Sequence, residues 1–160
     1  MRYTLTFTDV PTGVVADTFK TIAAIIAANT TGHRARIRSL QVGPADDAPA
    51  DLQCAMRLER TNNATAGTPG SSVTAANIAK KDTGALDCLM TGGRNYSAEP
   101  TTFETEAQWQ LDFNARGGFV KEWEADMAPK FGPNQTLCVR AAPRTTTAVR
   151  ISGSIEFELY

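Results

Sequence analysis

With 160 residues, 42% of them hydrophobic, the chain can bury one real core and is short for two domains. Sixteen Lys and Arg against 17 Asp and Glu leave a formal charge of −1, which disfavours sustained nucleic-acid binding, since that needs a basic field. The longest strongly apolar run, "IAAIIAA" at Ile22–Ala28, falls well short of the ~20 residues that span a bilayer, and no charged stretch followed by an apolar one opens the chain as a secretion signal would.

In chain order, period-2 alternation is the clearest signal. Tyr3, Leu5 and Phe7 alternate with Thr4, Thr6 and Thr8, which predicts an N-terminal strand over 2–9. Residues 17–29 read two ways. Phe19, Ile22, Ala23, Ile26 and Ala27 have helical spacing, with Asp17 as an N-cap and Gly32 near the end, yet β-branched Ile22, Ile25 and Ile26 equally allow a strand buried on both faces. Arg34, Arg36 and Arg38 alternate with Ala35, Ile37 and Ser39 and predict a strand with three guanidiniums on one face. After the turn-rich "GPADDAPAD" at 43–51, Leu52, Cys54, Met56 and Leu58 alternate with Gln53, Ala55, Arg57 and Glu59.

Residues 61–88, opening "TNNATAGTPGSS", predict a long excursion with at most one short strand. "TGGRN" at 91–95, "ARGG" at 115–118 and "FGPN" at 131–134 read as turns. "QTLCVRAA" at 135–142 predicts another strand. In the last one Val149, Ile151, Ile155, Phe157 and Leu159 face one way, with Gly153 on the apolar side as a bend or bulge. The sum is one all-β domain over 1–160, a sandwich or barrel with long loops and at most one short helix.

The segment "TGGRNYSAEPTTFETEAQWQ" at 91–110 raises the question of chemistry, because Glu99, Glu104 and Glu106 lie close together beside Pro100. Parity argues against an acid/base site. Phe103, Ala107, Trp109, Leu111 and Phe113 are odd, while Glu104, Glu106, Gln108, Gln110 and Asp112 are even. A strand over this stretch turns Phe103, Trp109, Leu111 and Phe113 to the core and Glu104 and Glu106 to a broad polar face. Such a face supplies neither the burial nor the close like charge that raises a catalytic carboxyl's pKa. Glu99 has the other parity, but the following proline makes its direction unsafe to assign.

Other chemistry has less support still. His33 stands alone without ligand spacing, and "DDAPAD", with Asp46, Asp47 and Asp51, lacks the graded oxygen pattern of a calcium loop. Neither a phosphate loop nor a nucleophile elbow is present. Cys54, Cys88 and Cys138 are odd in number and scattered, so three reduced thiols packed as small apolar groups is the expectation. The sequons at Asn29, Asn63, Asn95 and Asn134 are discounted, because a chain rich in Thr and Ala supplies several by chance. The reading is of a non-enzyme without cofactor or metal. Its sharper element is that the arginine face of Arg34, Arg36 and Arg38 meets the Glu104–Glu106 face, within one subunit or across a subunit boundary.

The order "RARIRSLQVG" (34–43), "LQCAMRLERT" (52–61), "NYSAEPTT" (95–102), "QTLCVRAAP" (135–143) and terminal "AVRISGSIEFE" (148–158) resembles the small β-sandwich decoration, or cement, proteins of tailed-bacteriophage heads. The resemblance covers about two thirds of the chain and is one of layout, with "AEPTT" and the ending its most specific parts. It implies a jelly-roll-like sandwich, a strand over 17–29, a trimer, and a place on the outer capsid surface against the major capsid protein, with no catalytic residues, nucleic acid or membrane. Assembly would occur in the bacterial host cytoplasm. Candidate contact elements are the N-terminal strand with Tyr3 and Thr4, the loop with Asp46 and Asp47, and the loop with Asn62 and Asn63. Two other classes remain: a receptor- or carbohydrate-binding sandwich using Trp123 as a stacking residue, and a hydrolase dependent on Glu104 or Glu106.

Overall fold

The computed structural model describes residues 1–28, 32–45, 51–84, 86 and 88–160. Within them the chain forms β1 (Arg2–Pro11), β2 (Lys20–Ala27), β3 (Ala35–Pro44), β4 (Gln53–Asn62), β5 (Thr68–Val73), β6 (Ala79–Lys80), β7 (Met90–Ala98), β8 (Trp109–Asn114), β9 (Phe119–Glu122), β10 (Lys130–Phe131), β11 (Gln135–Pro143) and β12 (Arg150–Leu159). Single 3₁₀ turns at Asn63–Thr65 and Ala75–Asn77 are the helical elements among the described residues.

Two antiparallel sheets result. The first has the order β10-β3-β12-β1-β6, with β9 also paired to β3, and the second has the order β5-β7-β2-β11-β4-β8. The chain passes back and forth between the sheets: β1, β3, β6, β9, β10 and β12 belong to the first, β2, β4, β5, β7, β8 and β11 to the second. This is jelly-roll wiring, which places sequence-distant strands side by side, such as β1 with β12 and β2 with β11.

Alternation places the core between the sheets. Tyr3, Leu5 and Phe7 of β1, Ile37 and Leu40 of β3, and Ile151, Ile155 and Phe157 of β12 face Ile22, Ile25, Met56, Leu58, Leu137 and Val139 of the second sheet. Each such side chain, fully withdrawn from water, contributes about 1.5–3 kcal/mol. Gly153 lies within this core-facing row for a steric reason. A Cβ there would meet the Gln41 carbonyl and lie 2.7 Å from the Phe7 ring. The β1–β12 register shifts between Phe7 and Val10, with Asp9 at φ 54°, so the bulge expected near Gly153 sits on the partner strand.

Of the two readings of residues 17–29, the strand is the one formed: β2 is buried on both faces, a pattern that satisfies helical and two-sided strand spacing alike. Other sequence expectations change. The 61–88 stretch holds two strands, β5 and β6, because β5 pairs along β7 and β6 caps β1. "TGGRN" is not a turn: it runs inside β7, where Gly92 lets Leu5 approach to 2.9 Å of a would-be Cβ. The strand predicted over 103–113 is shorter, β8 alone. Of its expected core residues, Phe113 is buried, Trp109 is part-buried against Phe119 and Trp123, and Leu111 is 37% exposed on the last strand of its sheet.

Candidate functional site

The stretch between β7 and β8 decides what the acidic residues do. Residues 99–108 form a strap along the outside of the second sheet. Its backbone is tied to β4 by Glu104 N–H to the Arg60 carbonyl (3.0 Å) and Gln108 N–H to the Leu58 carbonyl (2.8 Å). Phe103, expected in the main core, packs instead against Ala24, Tyr96 and Cys138 on the outer face of that sheet. Small residues there, Ala24, Ala55, Cys138 and Ala142, leave room for the covering chain. This is why β11 is apolar on both parities.

Charged groups fix the strap. The Arg140 guanidinium donates to Glu59 (2.8 Å), to the Phe19 carbonyl (2.8 Å) and to Glu99 (3.4 Å), and Phe103 lies 4.2 Å from it on its ring face. Glu99 also accepts from the Thr21 backbone N–H (2.8 Å) and hydroxyl (2.6 Å). Arg140 and Glu59 side chains are 13% and 10% exposed, so the pair is strongly desolvated. Arg57 adds a cation–π contact to Phe19 at 4.1 Å. Glu104 accepts from Arg60 Nε (2.8 Å) and Nη2 (2.6 Å), whereas Glu106 is an exposed loop residue. Neither stands on a strand face, and the three carboxylates converge on no common point. Glu99 and Glu104 hold the strap in place.

The arginines expected to meet that acidic face do not do so within the chain. Arg36 pairs with Glu158 of β12, and Arg38 lies 3.9 Å from the same carboxylate. Arg34 is exposed at the mouth of β3. Register explains the pairing, since β3 runs antiparallel to β12 with Arg36 opposite Glu158. Glu156 on the same face lies 3.8 Å from Arg2 and 3.6 Å from Lys81. The outer face of the first sheet is thus polar, with a middle row of Thr6, Ser154 and Gln41. No strap crosses it among the described residues.

The other contact candidates divide. Tyr3 cannot contact a partner: it is buried, stacked on Phe157 at 5.7 Å, and its hydroxyl donates to the Leu86 carbonyl. Thr4 is half-buried and paired with Ala79 of β6. Asn62 caps a 3₁₀ turn by accepting from the Thr65 N–H (3.0 Å). Asn63 joins strands, donating to the Ala27 carbonyl (2.7 Å) and accepting from Thr136 Oγ1 (2.8 Å). Asp46 and Asp47 lie outside the described residues. Trp123 is 8% exposed and edge-on to Trp109 at 5.5 Å, so it offers no ring face for stacking a sugar. Cys54, Cys88 and Cys138 are free and buried, and burial pushes the Cys54 and Cys138 thiols up to about 12.

Among the described residues, no group of His, Cys, Asp and Glu is arranged to hold a metal ion, and no helix is long and apolar enough to cross a membrane. The Arg140–Glu59–Glu99 clamp is the feature that sequence reasoning missed. Its members are distant in the chain, and the available hint was the run of small residues on both parities of β2 and β11. No protein-family model matches the chain, and no curated protein matches it.

Proposed function

We propose that this chain is a structural virion protein that decorates and stabilises the outside of a tailed-phage capsid, bridging neighbouring major-capsid subunits as a homotrimer. The observation that carries this reading is the contrast between the two outer faces. The second sheet is closed by its clamped strap, whereas the first presents a polar surface of Thr, Ser, Gln, Arg and Glu side chains on three long strands. Paired charges such as Arg36 with Glu158 brace that surface. Rigidity limits the ordering cost of association, and trimerisation multiplies modest contacts into avidity.

The reading needs neither enzymatic activity nor a cofactor, and the partner it assigns is the major capsid protein, not nucleic acid or a membrane. Co-sedimentation with shells assembled from the major capsid protein of the same genome tests it. The wild-type chain should pellet with the shells, and Gln41→Arg, a change at an exposed position in the middle of the polar face, should leave it in the supernatant. A wild-type chain that never pellets refutes the reading.

A further inference from the structure

At one end of the sandwich, where β3 begins and β4 ends, a groove of about 340 Å³ lies between Arg34, Arg60, Lys130, Gln135 and the Tyr160 ring. Most arginines outside the groove are paired with carboxylates. Arg36, Arg38, Arg140 and Arg144 each have a carboxylate within 4 Å. Arg60, within the groove, is already balanced by Glu104 and also donates to the Lys130 carbonyl at 2.8 Å. The side chains of Arg34 and Lys130 have no hydrogen bond or ion pair among the described residues, and both line this one groove. Lys130 stands directly opposite Arg36 in the β10–β3 pair, and the Arg36 charge is taken up by Glu158, which leaves no carboxylate for Lys130 among the described residues. Two uncompensated positive charges thus converge in a chain whose formal charge is −1.

The groove has an apolar neighbour. Tyr160, 55% exposed, also lines a second cavity of about 310 Å³ formed by Met1, Leu86, Leu89 and Leu159, with Met1, Leu86 and Leu89 largely exposed. We infer that the two together form a docking site for an acidic protein segment, with its carboxylates held by Arg34 and Lys130 and an adjacent large apolar side chain inserted past Tyr160. A guanidinium and an ammonium side by side suit paired carboxylates. The positive area is too small for the extended phosphate track of a nucleic acid. The site is independent of the virion role, because the isolated chain would bind such a segment whether or not it decorates a capsid.

The test is titration of the intact chain with the peptide acetyl-Glu-Glu-Phe-Glu-Glu-amide, with the Lys-for-Glu peptide and a ten-nucleotide single-stranded DNA as comparison probes. Saturable binding of the acidic peptide is expected. It should weaken as salt rises and fall by about tenfold or more in the Arg34→Glu/Lys130→Glu variant, whose altered side chains are exposed. The peptide should also protect Lys130 of the wild-type chain from acetylation, read by mass spectrometry, a result independent of how any variant folds. No saturation at millimolar peptide, equal binding by the variant, unprotected Lys130, or tighter binding of the DNA than of the peptide would each overturn the inference.

Discussion

Replacing Arg140 with alanine probes the strap most sharply. The change removes the 2.8 Å bonds to Glu59 and to the Phe19 carbonyl, the 3.4 Å contact to Glu99 and the 4.2 Å stacking on Phe103. It leaves Glu59, whose side chain is 10% exposed, with Arg57 at 3.8 Å as its remaining cation. Breaking one side of a buried pair costs ~3–5 kcal/mol, because the abandoned charge keeps its desolvation penalty. The slight exposure here and the residual Arg57 contact place the expectation at the low end, about 3 kcal/mol. For a domain of this size that lowers the midpoint of thermal unfolding by roughly 6–12 °C. Urea unfolding followed by tryptophan fluorescence should show the loss with an unchanged m-value. The Arg140→Met/Glu59→Leu double variant should be more stable than the two single losses added together, with a coupling of ~1–3 kcal/mol. A single-variant loss under about 1 kcal/mol, or strict additivity, would refute the clamp.

Other consequences are simpler. Glu104→Gln should cost no more than about 1 kcal/mol, since its pair with Arg60 is half-exposed, and Glu106→Gln should fall within about 0.5 kcal/mol by chemical denaturation. Phe113→Ala should cost ~3–5 kcal/mol and Leu111→Ala under about 1 kcal/mol, a contrast between two residues of equal parity that a fully covered β8 would not give. The buried thiols should resist a disulfide reagent in the native chain at pH 8 and react in urea, and rapid native labelling of Cys54 or Cys138 would contradict their placement. With folded values raised to about 12 from 9.0, only the unfolded chain ionises them between those pH values. Their contribution is therefore complete below about pH 9 and falls above it by about 1.4 kcal/mol per thiol per pH unit, as denaturation across that range should show.

The alternating strands were legible because β1, β3 and β12 form a sheet with one wet face, where parity sorts core from solvent: Ile151, Ile155 and Phe157 are in, Glu156 and Glu158 are out. The same rule failed over 103–113, because Phe103 is apolar for a different reason. It covers the back of the second sheet and does not belong to a strand. Leu111 keeps its parity but lies on an edge strand that nothing covers fully. Two-sided burial also blurred β2, where residues of both parities are apolar. The charge pairing was not legible at all. Arg140, Glu59 and Glu99 meet only through the side-by-side placement of β11, β4 and β2, with the strap laid across them. Tyr3, named as a contact candidate, follows instead the parity of Leu5 and Phe7 into the core, where it stacks on Phe157 and its hydroxyl reaches the Leu86 carbonyl.

Homotrimer assembly, on which the proposed bridging of capsid subunits rests, is most directly tested by the solution mass of the chain. Sedimentation equilibrium should return three times the 17.2 kDa protomer for the wild type, and Gln41→Arg, which alters the face assigned to the capsid, should keep that mass while losing shell binding. A wild-type chain that stays at 17.2 kDa at every concentration and binds no capsid shell would contradict it.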